Sequence, residues 1–154
     1  MLLSGRDVVG QSQTGSGKTA AFALPAIERV DVTLRAPQVL VLCPTRELAM
    51  QVAEAVHKYG RELGIAVLPI FGGSSYGQQL RALTRGVDVV VATPGRARDH
   101  INRQTLDLSA VGQLLIGSIL PTPTVGYAES LLCLLGAGTS GFTPVSRPTT
   151  RPWG

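Results

Sequence analysis

The sequence predicts an α/β fold in which a parallel sheet is flanked by helices and followed by an irregular C-terminal tail. Three observations carry that expectation. Short apolar runs, Val39 to Leu42, Ile65 to Leu68 and Val87 to Val91, have the character of strands buried on both faces. Stretches of helical periodicity lie between them, and helical crossovers between strands make the sheet parallel with right-handed connections. Finally, each cluster of glycines, hydroxyls and arginines falls just after one of the strand-like runs, where the carboxyl ends of parallel strands form a ligand crevice.

Taken in chain order, Asp7-Val8-Val9-Gly10-Gln11 reads as a first short buried strand, and Ser12-Gln13-Thr14-Gly15-Ser16-Gly17-Lys18-Thr19 follows it. Gly15 and Gly17 lack a Cβ, so the chain there can take positive φ values and turn successive N–H groups toward one anion. Thr14, Gly15, Ser16, Gly17, Lys18 and Thr19 are therefore candidates for a phosphate cradle. Lys18 would reach the β and γ phosphates of a nucleotide and the Thr19 hydroxyl would ligate Mg²⁺. The helix read over Thr19 to Leu24 would add the favourable end of its dipole. Strand, loop and helix in that order are the context the motif needs, although Ser12 stands where its first position is usually Gly or Ala. The competing reading is a glycine-rich surface turn.

The second strand, Val39 to Leu42, leads into Pro44-Thr45-Arg46-Glu47 and a helix from Glu47 to Leu63. Leu48, Val52, Ala55, Val56 and Tyr59 recur there at three- and four-residue spacing, with Gln51, Glu54 and Lys58 on other faces. The third strand, Ile65 to Leu68, precedes Gly72-Gly73-Ser74 and a shorter helix, Gln78 to Arg85, which Gly86 is placed to end. The fourth, Val87 to Val91, precedes Thr93-Pro94-Gly95-Arg96 and a helix from Arg96 to Arg103, and Gln113 to Ile116 suggests a fifth strand. One sheet edge thus collects a phosphate loop, two arginines, a glycine pair and several hydroxyls.

At 154 residues, 44% hydrophobic and 16% charged, the chain fits one globular domain with a real core. Its net charge of +4 permits a polyanionic partner without demanding one. Cys43 and Cys133 are far apart, with no CxxC pair or clustered histidines, which argues against a zinc site or a disulfide framework and for two small buried apolar side chains. No basic segment followed by an apolar stretch opens the chain, and no run reaches about 18 apolar residues. An intracellular, cytoplasmic and soluble protein without a membrane partner is expected.

The quoted motifs together, Gln13 to Thr19, Pro44-Thr45-Arg46-Glu47-Leu48-Ala49 with Gln51, Gly72-Gly73, and Thr93-Pro94-Gly95-Arg96, resemble in order and spacing the first four motifs of DEAD-box ATP-dependent RNA helicases. The resemblance covers about residues 2 to 116 and implies a P-loop NTPase fold with a RecA-like sheet. It also implies ATP and Mg²⁺ at Gly15 to Thr19, and single-stranded RNA or an RNA duplex running past Pro44, Thr45, Arg46, Gly72, Gly73, Thr93, Gly95 and Arg96. Contacts of that kind go to the sugar-phosphate backbone and are largely indifferent to base sequence. The residue chemistry agrees, because an arginine fork suits phosphate oxygens and a basic strip attracts polyanions in a salt-sensitive way. Other roles remain open for the two arginines: Arg46 could pair with Glu47 or Glu54, and Arg96 could be a solvated surface charge. Only Phe71 and Tyr76 are aromatic near these loops, and Phe71 ends an apolar run, which favours a core position.

Departures from the family pattern qualify the activity. The Asp-Glu-Ala-Asp element that should follow the fifth strand is replaced by Gly117-Ser118-Ile119-Leu120. The Asp that holds Mg²⁺ and the Glu that positions the attacking water are thus missing, and Asp107 and Glu129, the nearest acids, lack a suitable strand-end context. The family's upstream adenine-recognising glutamine segment and its second domain are also not found, so negligible turnover is expected. From Gly117 to Gly154 the only acid is Glu129, the only bases are Arg147 and Arg151, and five of the ten prolines occur. Residues 1–116 are therefore expected to form a partial helicase ATP-binding domain, and 117–154 a divergent, disordered tail read from a shifted frame or an unspliced segment. A non-catalytic nucleotide- or RNA-binding module, or a truncated product without function, is the alternative.

Overall fold

The computed structural model describes residues 17–116. Helix α1 (Lys18–Glu28) is followed by β1 (Val39–Leu42), α2 (Arg46–Gly60) with a 3₁₀ turn over Arg61–Leu63, β2 (Val67–Ile70), α3 (Tyr76–Arg85), β3 (Val89–Ala92), α4 (Pro94–Asn102) and β4 (Gln113–Ile116). The four strands form one parallel sheet in the order β2-β3-β1-β4. Val39 stands opposite Val89 on one side and Gln113 on the other, while Val67 stands opposite Val89. The expected first strand, the start of the glycine-rich run and the expected tail lie outside the described residues.

Two strands occupy the expected residues, and two begin two positions later. Val87 and Asp88 serve as an anchor before the ladder: Asp88 donates its N–H to the Ala66 carbonyl (2.9 Å), its carbonyl accepts from Gln38 N (2.8 Å), and its carboxylate accepts from Ala66 N (2.8 Å). Strand β2 consequently runs on through Pro69, which is tolerated because β2 lies at the edge of the described sheet, where one side of a strand is unpaired.

Alternation along β1 divides the core in two. Val39, Val41 and Cys43 face a cluster with Ala23, Ile27, Ala49, Val52 and Val56, from α1 and α2. Leu40 and Leu42 face the other side, with Ile70, Val90, Ala97 and Leu106. The result is a sheet sandwiched between helical layers. Cys43 is almost fully buried, and burial pushes its thiol up to about 11, so it packs as a small apolar residue as expected. Cys133 lies outside the described residues.

Helix boundaries are set by packing in one case and by local capping in others. Helix α1 continues past Leu24, through Pro25, to Glu28. Pro25 removes one backbone bond within the helix, but the added turn buries Ala26 and Ile27 in the core. Helix α3 starts two residues earlier than its apolar periodicity suggests, because the Ser75 hydroxyl accepts from Gln78 N (3.4 Å) and caps it. Helix α4 likewise starts at Pro94, a residue whose fixed φ and missing N–H suit a first helical position. The expected helix to Leu63 closes instead in the 3₁₀ turn, and Gly86 ends α3 as expected.

Candidate functional site

Parallel strands bring the segments after β1, β2 and β3 to the same edge of the sheet. Three expected site clusters therefore converge although they are spread from Pro44 to Arg96 along the chain. The N-terminus of α1 points to that edge as well. Gln113, at the start of β4, donates from Nε2 to the carbonyl of Ala26 (3.2 Å), so the C-terminal turn of α1 lies at the opposite edge. Eleven helical residues, about 16 Å of helix, run back from it.

Gly17 caps α1 in the left-handed conformation, φ 75°, as expected for a residue that turns N–H groups toward an anion. A Cβ at Gly17 would meet nothing within 4 Å among the described residues. Lys18 and Thr19 are the first two residues of α1. Thr14, Gly15 and Ser16 lie outside the described residues.

After β1, Pro44 is half-buried and Thr45 is the N-cap of α2, its hydroxyl accepting from Leu48 N (3.2 Å). Arg46, the first residue of the helix, is exposed and its Nε lies 3.5 Å from a Glu47 carboxylate oxygen. Both side chains are more than half exposed, so this pair constrains the guanidinium weakly. A Cβ on Gly73, whose φ is +82°, would lie 3.6 Å from Arg46 Nη1. The arginine is thus laid beside the glycine pair that follows β2, and Gly72 and Gly73 are both exposed. Beside Arg46, a cavity of about 460 Å³ is lined by Glu47, Met50, Gln51, Glu54 and Phe71. Phe71 is partly buried against the core, the position its apolar run predicts.

The segment after β3 is held differently. Thr93 donates its N–H to the Ile70 carbonyl (2.9 Å) and its backbone caps α4, while Gly95 is exposed. Arg96 is not the solvated charge that was the competing reading. It is half-buried, and its Nη1 donates to the Ser74 carbonyl (3.4 Å) and to Gln79 Oε1 (3.1 Å). Two strand-end loops are therefore joined through one guanidinium, whose remaining N–H groups are not engaged among the described residues.

Sequence reasoning missed the residues that build this junction. Gln79, buried on α3, donates from Nε2 to the Phe71 carbonyl (3.0 Å) and to the Ser74 hydroxyl. His100, fully buried on α4, meets Gln79 Oε1 through Nε2 (2.9 Å) and Thr105 Oγ1 through Nδ1 (2.9 Å). Tyr76 closes the group, with its hydroxyl 2.8 Å from Thr105 Oγ1 and its ring stacked on His100 at a centroid distance of 4.3 Å. Arg103 and Arg96 place guanidinium carbons 4.8 and 5.8 Å from the Tyr76 ring centre, a cation–π arrangement. The Tyr76 ring is thereby committed within the protein rather than presented to a base. Burial, followed by the charge of Arg96, holds the His100 ring below the ordinary histidine range; Asp99 opposes the shift and Arg103 adds to it.

A signal for these residues existed. Gln79 lies at the position of the apolar stripe of α3, between Tyr76 and Leu83, and His100 lies one turn from Ala97 on the buried side of α4. A polar side chain on a buried stripe needs a partner. Asp107, one of the two acids nearest the missing carboxylates, is exposed and accepts from Ser109 N (2.9 Å) in the connection leading into β4, away from the strand ends. Glu129 is outside the described residues. No group of three or more His, Cys, Asp or Glu residues among those described could hold a metal ion, and no described helix is long and apolar enough to cross a membrane.

A family model described as DEAD/DEAH box helicase matches residues 1–116. The protein called ATP-dependent RNA helicase DeaD from Mycobacterium tuberculosis is 55% identical over 131 residues, which are 84% of this chain and 23% of that protein. Its namesake from Escherichia coli K12 is 45% identical over 152 residues, 98% of this chain and 24% of the relative. A DEAD box protein from the hyperthermophile Methanococcus jannaschii superposes with a TM-score of 0.78 at 36% identity, covering 89% of this chain and 38% of the other. A hypothetical ATP-dependent RNA helicase from Sulfolobus tokodaii superposes at 0.75 and 37% identity, covering 90% and 40%. The chain spans about a quarter of the length of these curated relatives.

Proposed function

The chain belongs to the DEAD/DEAH box helicase family, and from that premise we propose that it is an ATP- and RNA-binding portion of an ATP-dependent RNA helicase that does not itself turn ATP over. The observation that carries the RNA reading is the convergence of Arg46, Gly73 and Arg96 on one sheet edge, with Arg96 bonded to the loop after β2 and Arg46 lying beside it. In this reading Pro44, Thr45, Arg46, Gly72, Gly73, Thr93, Gly95 and Arg96 meet the sugar-phosphate backbone of a single strand. The guanidinium groups and the backbone N–H groups of glycine turns and helix starts supply the donors.

The glycine cap of α1 supports a nucleotide site at the same edge. The left-handed Gly17 and the N-terminus of an 11-residue helix suit a triphosphate. Thr14, Gly15, Ser16, Gly17 and Lys18 would hold the phosphates, and Thr19 would hold Mg²⁺, which when bound neutralises the developing charge between β and γ phosphates. The carboxylates that complete this chemistry in the family are replaced by Gly117-Ser118-Ile119-Leu120. Lys18 and Thr19 would therefore hold a γ-phosphate without the groups that cleave it. The domain reading stands with this one: residues 1–116 as a partial helicase ATP-binding domain and 117–154 as a divergent segment.

Fluorescence anisotropy with a labelled single-stranded RNA and binding of labelled ATP test the two sites, and RNA-stimulated phosphate release tests turnover. Saturable binding of both, with phosphate release no greater than that of Lys18→Ala, is the expected outcome. Stimulated release well above that control would overturn the inactive reading, and absence of RNA binding would overturn the interface.

A further inference from the structure

The hydrogen bonds around Gln79 have only one consistent direction. The Phe71 carbonyl can only accept, so the Gln79 atom beside it is the amide nitrogen, and Oε1 must face Arg96 Nη1 and His100 Nε2. An amide oxygen cannot donate, so His100 carries a proton on Nε2. The neutral ring then turns the Nδ1 lone pair to Thr105, whose one hydroxyl proton is shared between that nitrogen (2.9 Å) and the His100 carbonyl (3.0 Å), and the Tyr76 hydroxyl in turn donates to Thr105. Among the described residues no buried side-chain nitrogen or oxygen lacks a partner. A fully satisfied network of this kind holds its members in one arrangement.

At its upper end this relay acts on two exposed segments. One amide touches both the Phe71 carbonyl and the Ser74 hydroxyl, the two ends of the Gly72-Gly73 turn, and its oxygen receives Arg96. None of the relay residues is itself exposed among the strand ends: Gln79 and His100 are buried, Tyr76 and Thr105 half-buried. We propose that Gln79 and His100 are positioning residues for RNA binding, setting through one hydrogen-bonded relay the place of Arg96 relative to the Gly72-Gly73 turn. This inference rests on the reading of that edge as the RNA interface. Removing the His100 donor leaves Arg96 as the one donor to Gln79 Oε1, so the amide is held less firmly in the plane that aims its oxygen at Arg96.

The groups facing His100 are Tyr76 and Gln79 from α3 and Arg96, Asp99 and Arg103 from its own helix and end. A second ring proton would place an imidazolium and the Arg96 guanidinium on a single amide oxygen, so acid works against the arrangement.

A double-mutant cycle on RNA affinity in the full chain tests the proposal. His100→Phe keeps a ring to stack on Tyr76 but lacks the donor to Gln79, and should weaken binding of a labelled single-stranded RNA about five- to tenfold. His100→Gln keeps an N–H at the right reach and should stay within about threefold of the parent. In an Arg96→Ala background His100→Phe should cost no further affinity, since what the relay positions is gone. An equal loss in both backgrounds, or no loss in a chain that still unfolds cooperatively, overturns the positioning role. Ring ¹⁵N shifts read the relay without RNA: His100 should be the Nε2–H tautomer at pH 7.5, and an Nδ1–H tautomer or a doubly protonated ring overturns the proposal even in a variant set that folds poorly. If the parent binds no RNA, or Arg46→Ala leaves its affinity unchanged, the interface reading fails instead, and the tautomer still reports on the relay.

Discussion

Arg46 and Arg96 follow neighbouring strands of one sheet, yet the structure treats them differently. Arg96 is half-buried, fixed to a backbone carbonyl and to a glutamine that is itself held by a buried histidine. Arg46 is more than half exposed, paired among the described residues only with an exposed glutamate and lying over a glycine that leaves it room. The loops after β2 and β3 are therefore one preorganised unit, and the loop after β1 brings an exposed, weakly held cation to it. A side chain already held in place loses less freedom on binding, so Arg96 should supply geometry while Arg46 supplies mainly charge.

The largest test of that contrast is Gln79→Leu. It strands the His100 Nε2–H group, removes one Arg96 contact and leaves the Phe71 carbonyl with the Ser74 hydroxyl alone; at about 1–3 kcal/mol for a buried group left unpaired, a loss of about 2–3 kcal/mol is expected in urea unfolding. A loss below about 1 kcal/mol would show that the side-chain hydrogen bonds add little to how the loops after β2 and β3 are held.

The pH response should come from the same unit. Burial, with Arg96 next, lowers the His100 ring from 6.5, so the unfolded chain takes up a proton at a higher pH than the folded one. The associated stability is whole above about pH 6.5 and is lost as pH falls through the lower folded value. Thermal unfolding at pH 7.5 and 5 should show that loss, and His100→Gln should flatten it. If the variant keeps the full acid sensitivity, the titrating group is elsewhere.

Smaller effects are expected on the β1 side. Thr45→Ala removes the cap of α2 and should cost about 1 kcal/mol, with RNA affinity following the displaced start of the helix. Arg46→Ala should leave stability within about 0.5 kcal/mol of the parent while reducing the slope of log affinity against log salt by about one, the signature of one lost phosphate contact. Glu47→Ala should change stability least, since its exposed pair with Arg46 holds little, and should strengthen RNA binding slightly by removing a negative charge from the edge. Weaker binding by this variant would mean that Glu47 orients Arg46, and the two regions would be more alike than their exposures suggest.

Much of this architecture was legible in local patterns. The strand runs of β1 and β4, the glycine stop of α3 and the positive φ of Gly17 follow from residue chemistry acting within a few positions. Two of the misread boundaries share a cause, because the extra turn of α1 past Pro25 and the shift of β2 toward Ile70 are set by burial against partners distant in sequence, whereas the starts of α3 and α4 follow from the local Ser75 cap and Pro94. For Arg96 the motif marked the residue but its surroundings were hidden. Nothing near it in the chain announces that a glutamine 17 positions earlier will receive it.

The sequence by itself determined the alternation of strand and helix, the placement of the motif clusters after strands and hence their meeting at one edge, since parallel strands with crossovers leave no other place for them. Only the tertiary structure decided the strand order β2-β3-β1-β4 and the partners of Gln79 and His100, which lie 21 residues apart. Periodicity and turn chemistry act over a few residues. The pairing of strands and the direction of a buried hydrogen bond depend on which distant groups the packed core leaves facing one another.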